Sequence, residues 1–441
     1  MKKLSILTLF ALLCAHLGFA QSDEFVMTWS IVVNEVKKAD ASIENPKKAA
    51  NPKTWMELGR KYLLLYSFDL KDIQPGISAS DAMFMVGSPK TQTADSGYNI
   101  FNYDRLDLFF KNDKLVRYER TGDAKQYFPE HSTALDVATN AYMKAKELDV
   151  AGKQSKTISD QLKTITDNYT TEGYYFYVAQ DYVNASKYFS KVGDIVTKGI
   201  INQTNDERAI MLNDCGTVAK LAKDYPKAIE FYNKAIELAP KISLYGEVYA
   251  CQKASGDTTS AINTLLTAID AFPNDSLAVS YTTELINLYI QTNQSDQALT
   301  YLTKALEKDP NNVSFLYNKG VLYTEKKQIE EAKIAYLQAL AIDPKDEGSN
   351  LNLGLLFTAA ANEKAQEADK VWKDKKAYAA LLAERDALLK QAYPYLEVYA
   401  SVVNDIYQKR DAYKDLRNIY AQLGMVDAEK AAKEKMDALL N

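Results

Sequence analysis

The sequence predicts a mainly α-helical fold, a solenoid of stacked helical hairpins that carries a small α+β insertion near its N-terminus. Three observations predict it. Apolar residues recur at helical spacing through most of the chain, prolines return at a near-constant interval, and one stretch over 67–126 switches to strand-like alternation.

The most regular stretch, Val313 to Asp346, reads as two amphipathic helices, about Ser314–Glu325 and Ile329–Ile342. Gly320, Ala332 and Ala339 sit where two helices must touch, Leu316, Tyr323 and Tyr336 fill the space beside them, and Pro344 ends the second helix. Pro310 stands 34 residues before Pro344. This spacing resembles the tetratricopeptide repeat, whose pattern sets a large apolar residue, Gly, an aromatic, Ala, an aromatic, Ala and Pro at fixed places. A single hairpin leaves its apolar face bare, so the resemblance implies neighbours of the same period.

Residues 1–20 have the make-up of a secretory signal peptide: Lys2 and Lys3, an apolar run from Leu4 to Leu13, then small residues up to Ala20, after which cleavage is expected. The run is too short to span a bilayer. Leu13 before Cys14 departs from the lipid-anchor signal, which calls for a small residue there. Residues 21–66 should form an N-terminal cap and the first repeat helix. An amphipathic helix is expected from Glu24 to Ile43, and Asn51-Pro52 opens another in which Trp55, Leu58, Gly59 and Tyr62 take the repeat's places.

No partner helix follows directly. Over 67–126 the sequence predicts a short helix at Ala79–Val86 and strands at Tyr98–Tyr103, Leu106–Lys111 and Leu115–Arg120, with Asn112-Asp113 as a hairpin turn. The order is a Pro-Gly turn, a short helix, Gly87-Ser88-Pro89 and strands around Phe109-Phe110. Over about fifty residues it is similar to the small periplasmic fold shared by outer-membrane assembly lipoproteins and β-lactamase-inhibitor-like domains. An elaborated loop packed on the helices is the alternative reading.

Residues 127–198 return to hairpins. Ala138, Tyr142 and Ala145 on Thr133–Leu148 are placed to supply the missing second helix, and Tyr169, Gly173, Phe176, Ala185 and Phe189 mark the next pair. Residues 199–346 form the array proper. Leu212, Cys215 and Gly216 precede Ala228, Tyr232, Ala235 and Pro240; a degenerate repeat ends at Pro273; another holds Tyr289, Ala298, Leu302, Ala305 and Pro310. Over 347–400 the turn arrives late, near Asp374 to Lys376, which predicts an elongated hairpin whose return helix is kinked or begun at Pro394 and whose charges, such as Glu363 and Lys390, face solvent. Residues 401–441 close the stack as a capping hairpin. The whole chain resembles exported tetratricopeptide proteins of Bacteroidetes-type bacteria.

The formal net charge is −5, and −7 once residues 1–20 and their two lysines are removed, so nucleic acid is not an expected partner. Past residue 20 there is one histidine, His131, and two cysteines, Cys215 and Cys251, expected on helices as buried thiols although export permits a bridge. No phosphate-cradling loop, Gly-x-Ser-x-Gly elbow or His-Glu-x-x-His occurs. The expectation is therefore a chain with no catalytic residue, no metal site and no cofactor, and not an enzyme. What remains is the binding of a protein or peptide partner that the sequence does not name.

In the resembled family the first helices line a concave surface, which implies Asn213, Thr217, Thr283, Asn287, Tyr317 and Val321 as peptide-facing positions. Asn287 and Asn318 occupy the asparagine places of that family's carboxylate clamp. Thr283, Gly348 and Asn352 stand where its cations belong, so that clamp is not expected. Two functions follow. The first is an exported, periplasmic scaffold for protein–protein interaction in the cell envelope, acting through the concave surface and the inserted module, without a transmembrane segment in the mature chain. The alternative is an envelope or outer-membrane assembly or structural factor acting through residues 67–126 in a membrane-associated complex.

Overall fold

The structure, a computed structural model, describes residues 27–70 and 73–439. The expected signal peptide, Cys14 and the expected helix start at Glu24 lie outside them. The chain divides into two compact units, one up to Pro240 and one from Lys241 onward.

The first unit opens with α1 (Trp29–Ile43), a single turn α2 (Pro46–Ala49) and α3 (Pro52–Ser67). The sequence reading did not anticipate α2. Asn45 and Asn51 start α2 and α3 by accepting from the backbone amides of Lys47 and Lys53, and Pro46 and Pro52 fill first-turn sites where no amide partner is needed. The inserted module follows as α4 (Ala79–Val86), β1 (Thr91–Asp95), β2 (Tyr98–Asn102), β3 (Leu106–Lys111) and β4 (Lys114–Arg120), an antiparallel meander in the order β1-β2-β3-β4. Helix α4 and the hairpin β3–β4 lie where expected. Strand β1 was not expected, because TQTAD has no apolar alternation and all five residues are exposed; its pairing with β2, from Thr91 opposite Asn102 to Asp95 opposite Tyr98, makes it a strand. Ser96-Gly97 and Asn112-Asp113 turn the first and last of the three hairpins, each residue at positive φ as a tight two-residue turn requires. Leu106, Leu108 and Phe110 alternate onto one core with Phe101, Leu115 and Ala82.

After the module, α5 (Thr133–Leu148) packs along α3 as the missing second helix. A Cβ at Gly59 would lie 2.5 Å from the Tyr142 ring, so only glycine lets that ring settle against α3. The same contact recurs between Gly173 and Phe189 in the hairpin α6 (Ser155–Val178) and α7 (Tyr182–Thr197), and between Gly216 and Tyr232 in α8 (Asn205–Leu221) and α9 (Tyr225–Leu238). Those partners are sixteen residues apart; Gly59 and Tyr142 are eighty-three apart. The first hairpin is thus a repeat split by the module. Gln180 and Lys223 turn these hairpins in the left-handed region, and Asp181 and Asp224 then cap the second helices.

The second unit holds five hairpins: α10 (Ile242–Ser255) with α11 (Thr258–Ala271), α12 (Ser276–Gln291) with α13 (Ser295–Lys308), α14 (Val313–Glu325) with α15 (Ile329–Ile342), α16 (Glu347–Lys370) with α17 (Lys375–Val402), and α18 (Ile406–Gln422) with α19 (Val426–Ala438). Gly320 and Tyr336 repeat the glycine–ring contact, and Ala298, Ala332 and Ala339 are fully buried. Pro310 and Pro344 each follow the end of a second helix, as Pro240 does in the first unit, while Ala305 and Tyr323 are partly buried against the packed faces. The elongated hairpin turns over residues 371–374, where Asp374 caps α17; Pro394 lies within α17 and does not begin it. Glu363, Glu367, Glu384 and Lys390 are exposed, and Lys364 bridges Glu367 at 3.0 Å and Glu384 at 3.1 Å. Such surface pairs add little stability. Cys215 and Cys251 are buried, unbridged thiols.

Gly59→Val should lower the free energy of unfolding by about 1–3 kcal/mol through overpacking against Tyr142. Chemical denaturation measures this; a variant as stable as the parent would mean that Tyr142 does not complete the α3 hairpin.

Candidate functional site

Helix α6 carries Glu172 on its buried stripe, one residue before the Gly173 contact. Its side chain is 1% exposed, so the carboxylate needs donors. It has two on one oxygen: Oε1 accepts the Tyr66 hydroxyl of α3 at 2.6 Å and the Tyr118 hydroxyl of β4. Arg120 of β4 donates from Nη2 to the Tyr66 carbonyl at 2.7 Å and from Nη1 to the Tyr118 hydroxyl at 3.4 Å, while its guanidinium lies 3.6 Å from the Phe128 ring centre. One buried carboxylate therefore ties α3, the inserted sheet and α6 together. A second tie lies nearby, where Arg105 of the β2–β3 turn grips Asp69 after α3 at 2.9 Å.

Burial pushes the Glu172 carboxyl above the usual range, against the pull of the Tyr118 and Tyr66 hydroxyls and Arg120. His131 packs its ring 5.0 Å from that of Tyr118, with Nδ1 4.0 Å from Glu172 Oε2. That carboxylate favours a protonated ring, but burial and the guanidinium groups of Arg120 and Arg117 oppose it and prevail, lowering the His131 pKa to about 4. The imidazole is neutral at pH 7. The cluster spends its donors and acceptors on joining elements.

A cleft of about 770 Å³ opens beside this joint, between the sheet and the C-terminal end of α6, with Tyr98, Lys111, Lys114, Val116, Tyr174 and Ala179 among its walls. An inner cavity of about 170 Å³ shares Tyr98, Val116 and Ala179 with it and reaches His131 and Glu172. Among the described residues there is no group of three or more His, Cys, Asp or Glu that would hold a metal ion, and no helix is long and apolar enough to cross a membrane.

The peptide-facing positions expected from sequence fall in both units. Asn213 and Thr217 lie half-buried on α8, where the Thr217 hydroxyl donates to the Asn213 carbonyl at 2.9 Å and meets the Tyr232 hydroxyl at 3.3 Å. Thr283 and Asn287 share α12, and the Thr283 hydroxyl donates to the Val279 carbonyl. Tyr317 and Val321 on α14 pack against the core of the second unit, and the Tyr317 ring occupies the space over Gly348. Trp55 and Tyr62 help bury Leu58; the Trp55 indole donates to the Ala49 carbonyl at 2.7 Å. Ala185, Ala228 and Ala235 are fully buried. The sequence reading passed over Glu172, Tyr66, Tyr118, Arg120, Lys111 and Lys114. For Glu172 a signal existed: with Ile165, Thr166, Tyr169 and Gly173 it lies on the helical stripe that must face the core.

The unfolded chain protonates His131 near its ordinary value of 6.5, whereas the folded ring resists to about 4. Between those values the unfolded state binds more protons, so stability is lost as pH falls through that window. Melting curves should show the parent losing stability relative to His131→Gln from about pH 6.5 to about pH 4. Parallel curves would contradict this.

Sequence profiles described as Tetratricopeptide repeat match residues 283–347 and 215–242. A search of curated proteins finds no match. Among solved structures, YrrB, a TPR protein with an unusual peptide-binding site, is similar at 17% identity over 48% of this chain and 96% of that chain, with a TM-score of 0.30. A MamA protein is similar at 19% identity over 41% of this chain and 92% of its own, with a TM-score of 0.31. A protein from Bacteroides ovatus ATCC 8483 is similar at 18% identity over 51% and 99%, with a TM-score of 0.33. The chain therefore contains tetratricopeptide repeats, at residues 215–242 and 283–347.

Proposed function

We propose that the chain is a non-catalytic interaction scaffold of the cell envelope, holding a protein or peptide partner through its repeat helices and its inserted module. Tetratricopeptide repeats are interaction modules, and they support the general reading. The single observation that carries the module's part is the cleft of about 770 Å³ beside a sheet fastened to the repeat helices through Glu172. Rigid walls of this kind suit recognition, because little ordering is needed on binding. The composition of residues 1–20 supports export to the periplasm.

A second reading, an envelope or outer-membrane assembly factor acting through residues 67–126, is favoured by one feature. Phe84, Met85 and Val86 at the end of α4 are consecutive exposed apolar residues, Phe84 at 91%. Such a patch suits a partner or membrane surface.

Photo-crosslinking residues placed at Asn213, Asn287 and Phe84 of the full chain, expressed in its native cells, test both readings. Crosslinks from Asn213 or Asn287 to a defined protein are the expected result; crosslinks from Phe84 alone favour the assembly factor, and none from any position contradicts both. Fractionation should find the protein in the periplasm beginning at Gln21. A cytoplasmic chain retaining Met1 would contradict export.

A further inference from the structure

The cleft beside the inserted sheet has a one-sided charge. Of the twelve described residues that line it, two are lysines and none is acidic. Lys111 ends β3 and Lys114 begins β4, so the tight turn Asn112-Asp113 holds both at one rim. Both are exposed, and neither lies within 4.0 Å of a carboxylate among the described residues. Asp113, between them in sequence, is turned to accept from the Ala79 amide at 3.2 Å. The C-terminal end of α6 brings about half a negative charge to the opposite wall, and Glu172 and Asp181 line the adjoining inner cavity, so the cationic character belongs to the Lys111–Lys114 rim. In a chain of net charge −5 this is a local reversal of sign.

The inner cavity adds a shape requirement. Its volume of about 170 Å³ is close to the roughly 150 Å³ of an engineered cavity that admits benzene. The aromatic residues Tyr98, Tyr118, Tyr175 and Phe176 contribute to its wall. Arg117, also in the wall, lays its guanidinium 3.9 Å from the Phe109 ring centre.

We propose that this cleft binds an extended acidic peptide segment, which sets an aromatic side chain in the inner cavity and carboxylates against Lys111 and Lys114. The assignment rests on the scaffold reading and names the chemistry of the partner that the module takes. Two lysines are too few to hold a nucleic acid on a chain of this net charge.

Fluorescence anisotropy with the full chain tests it, using a labelled nonapeptide of alternating Glu and Phe. Three control probes accompany it: the same peptide with Lys for Glu, a nonapeptide of Glu alone, and a nine-nucleotide single-stranded DNA. The Glu/Phe peptide should bind saturably and weaken with added salt. Lys111→Glu with Lys114→Glu should weaken it roughly tenfold, and Ala179→Trp, which fills the cleft, should abolish binding. Both lysines are exposed, so their double variant keeps its fold even if Ala179→Trp does not. No binding of the Glu/Phe peptide, equal binding of any control probe, or indifference to the lysine variant would overturn the proposal. If the peptide fails while Asn213 or Asn287 still crosslinks to a partner, the cleft assignment falls and the scaffold stands; if those crosslinks are absent as well, both fall.

Discussion

A carboxylate taken out of water must be met by donors, and Glu172 of α6 is the place where this chain meets that requirement with groups from two other elements. Its Oε1 draws in Tyr66 from α3 and Tyr118 from β4, and Arg120 closes the circuit by holding the Tyr66 carbonyl and the Tyr118 hydroxyl. An apolar contact tolerates sliding; a shared acceptor with two directed hydroxyls does not. This is how a sheet of four short strands keeps one position on a helical framework, and the walls of the cleft inherit that fixity. His131 packs against the same ring and stays neutral because adding a proton beside Arg120 and Arg117 in a buried site is costly.

The helical framework tolerates such a large insertion because its defining contact is spatial. Gly59 accepts the Tyr142 ring as Gly216 accepts Tyr232 and Gly320 accepts Tyr336, whatever length of chain runs between them. The insertion replaces the tight turn of the first hairpin and leaves the packed faces of α3 and α5 intact. Loop-closure entropy grows only with the logarithm of length, so the added cost of a longer connection is modest, and the module offsets it with its own core of Phe101, Leu108, Phe110 and Leu115.

Much of this was legible in the sequence because the repeat's Gly, Ala, aromatic and Pro positions are each dictated by close approach or helix termination. The spacing of Ala138, Tyr142 and Ala145 even pointed across the insertion to the right partner helix. Strand β1 was not legible, since its strand state comes from pairing with β2 and its residues carry no pattern of burial. Helix α2 escaped because one capped turn is shorter than any periodicity can register. The cleft was invisible for another reason: that Lys111 and Lys114 lack carboxylate neighbours while Lys61, Lys191 and Lys227 have them depends on the folded arrangement of charges. Glu172 was the readable exception, a charge on a stripe otherwise committed to the core.

The central claim is that the inserted sheet and the split repeat form one structural unit joined at Glu172. Hydrogen exchange followed by mass spectrometry on Glu172→Leu tests it most directly, because leucine keeps the bulk and leaves two buried tyrosine hydroxyls unmatched at a cost of about 1–3 kcal/mol each. The account predicts faster exchange in β4 and in the C-terminal turn of α3 together, with residues 241–439 unchanged. Unaltered exchange in β4, or a sheet that already exchanges independently of α3 in the parent protein, would contradict it.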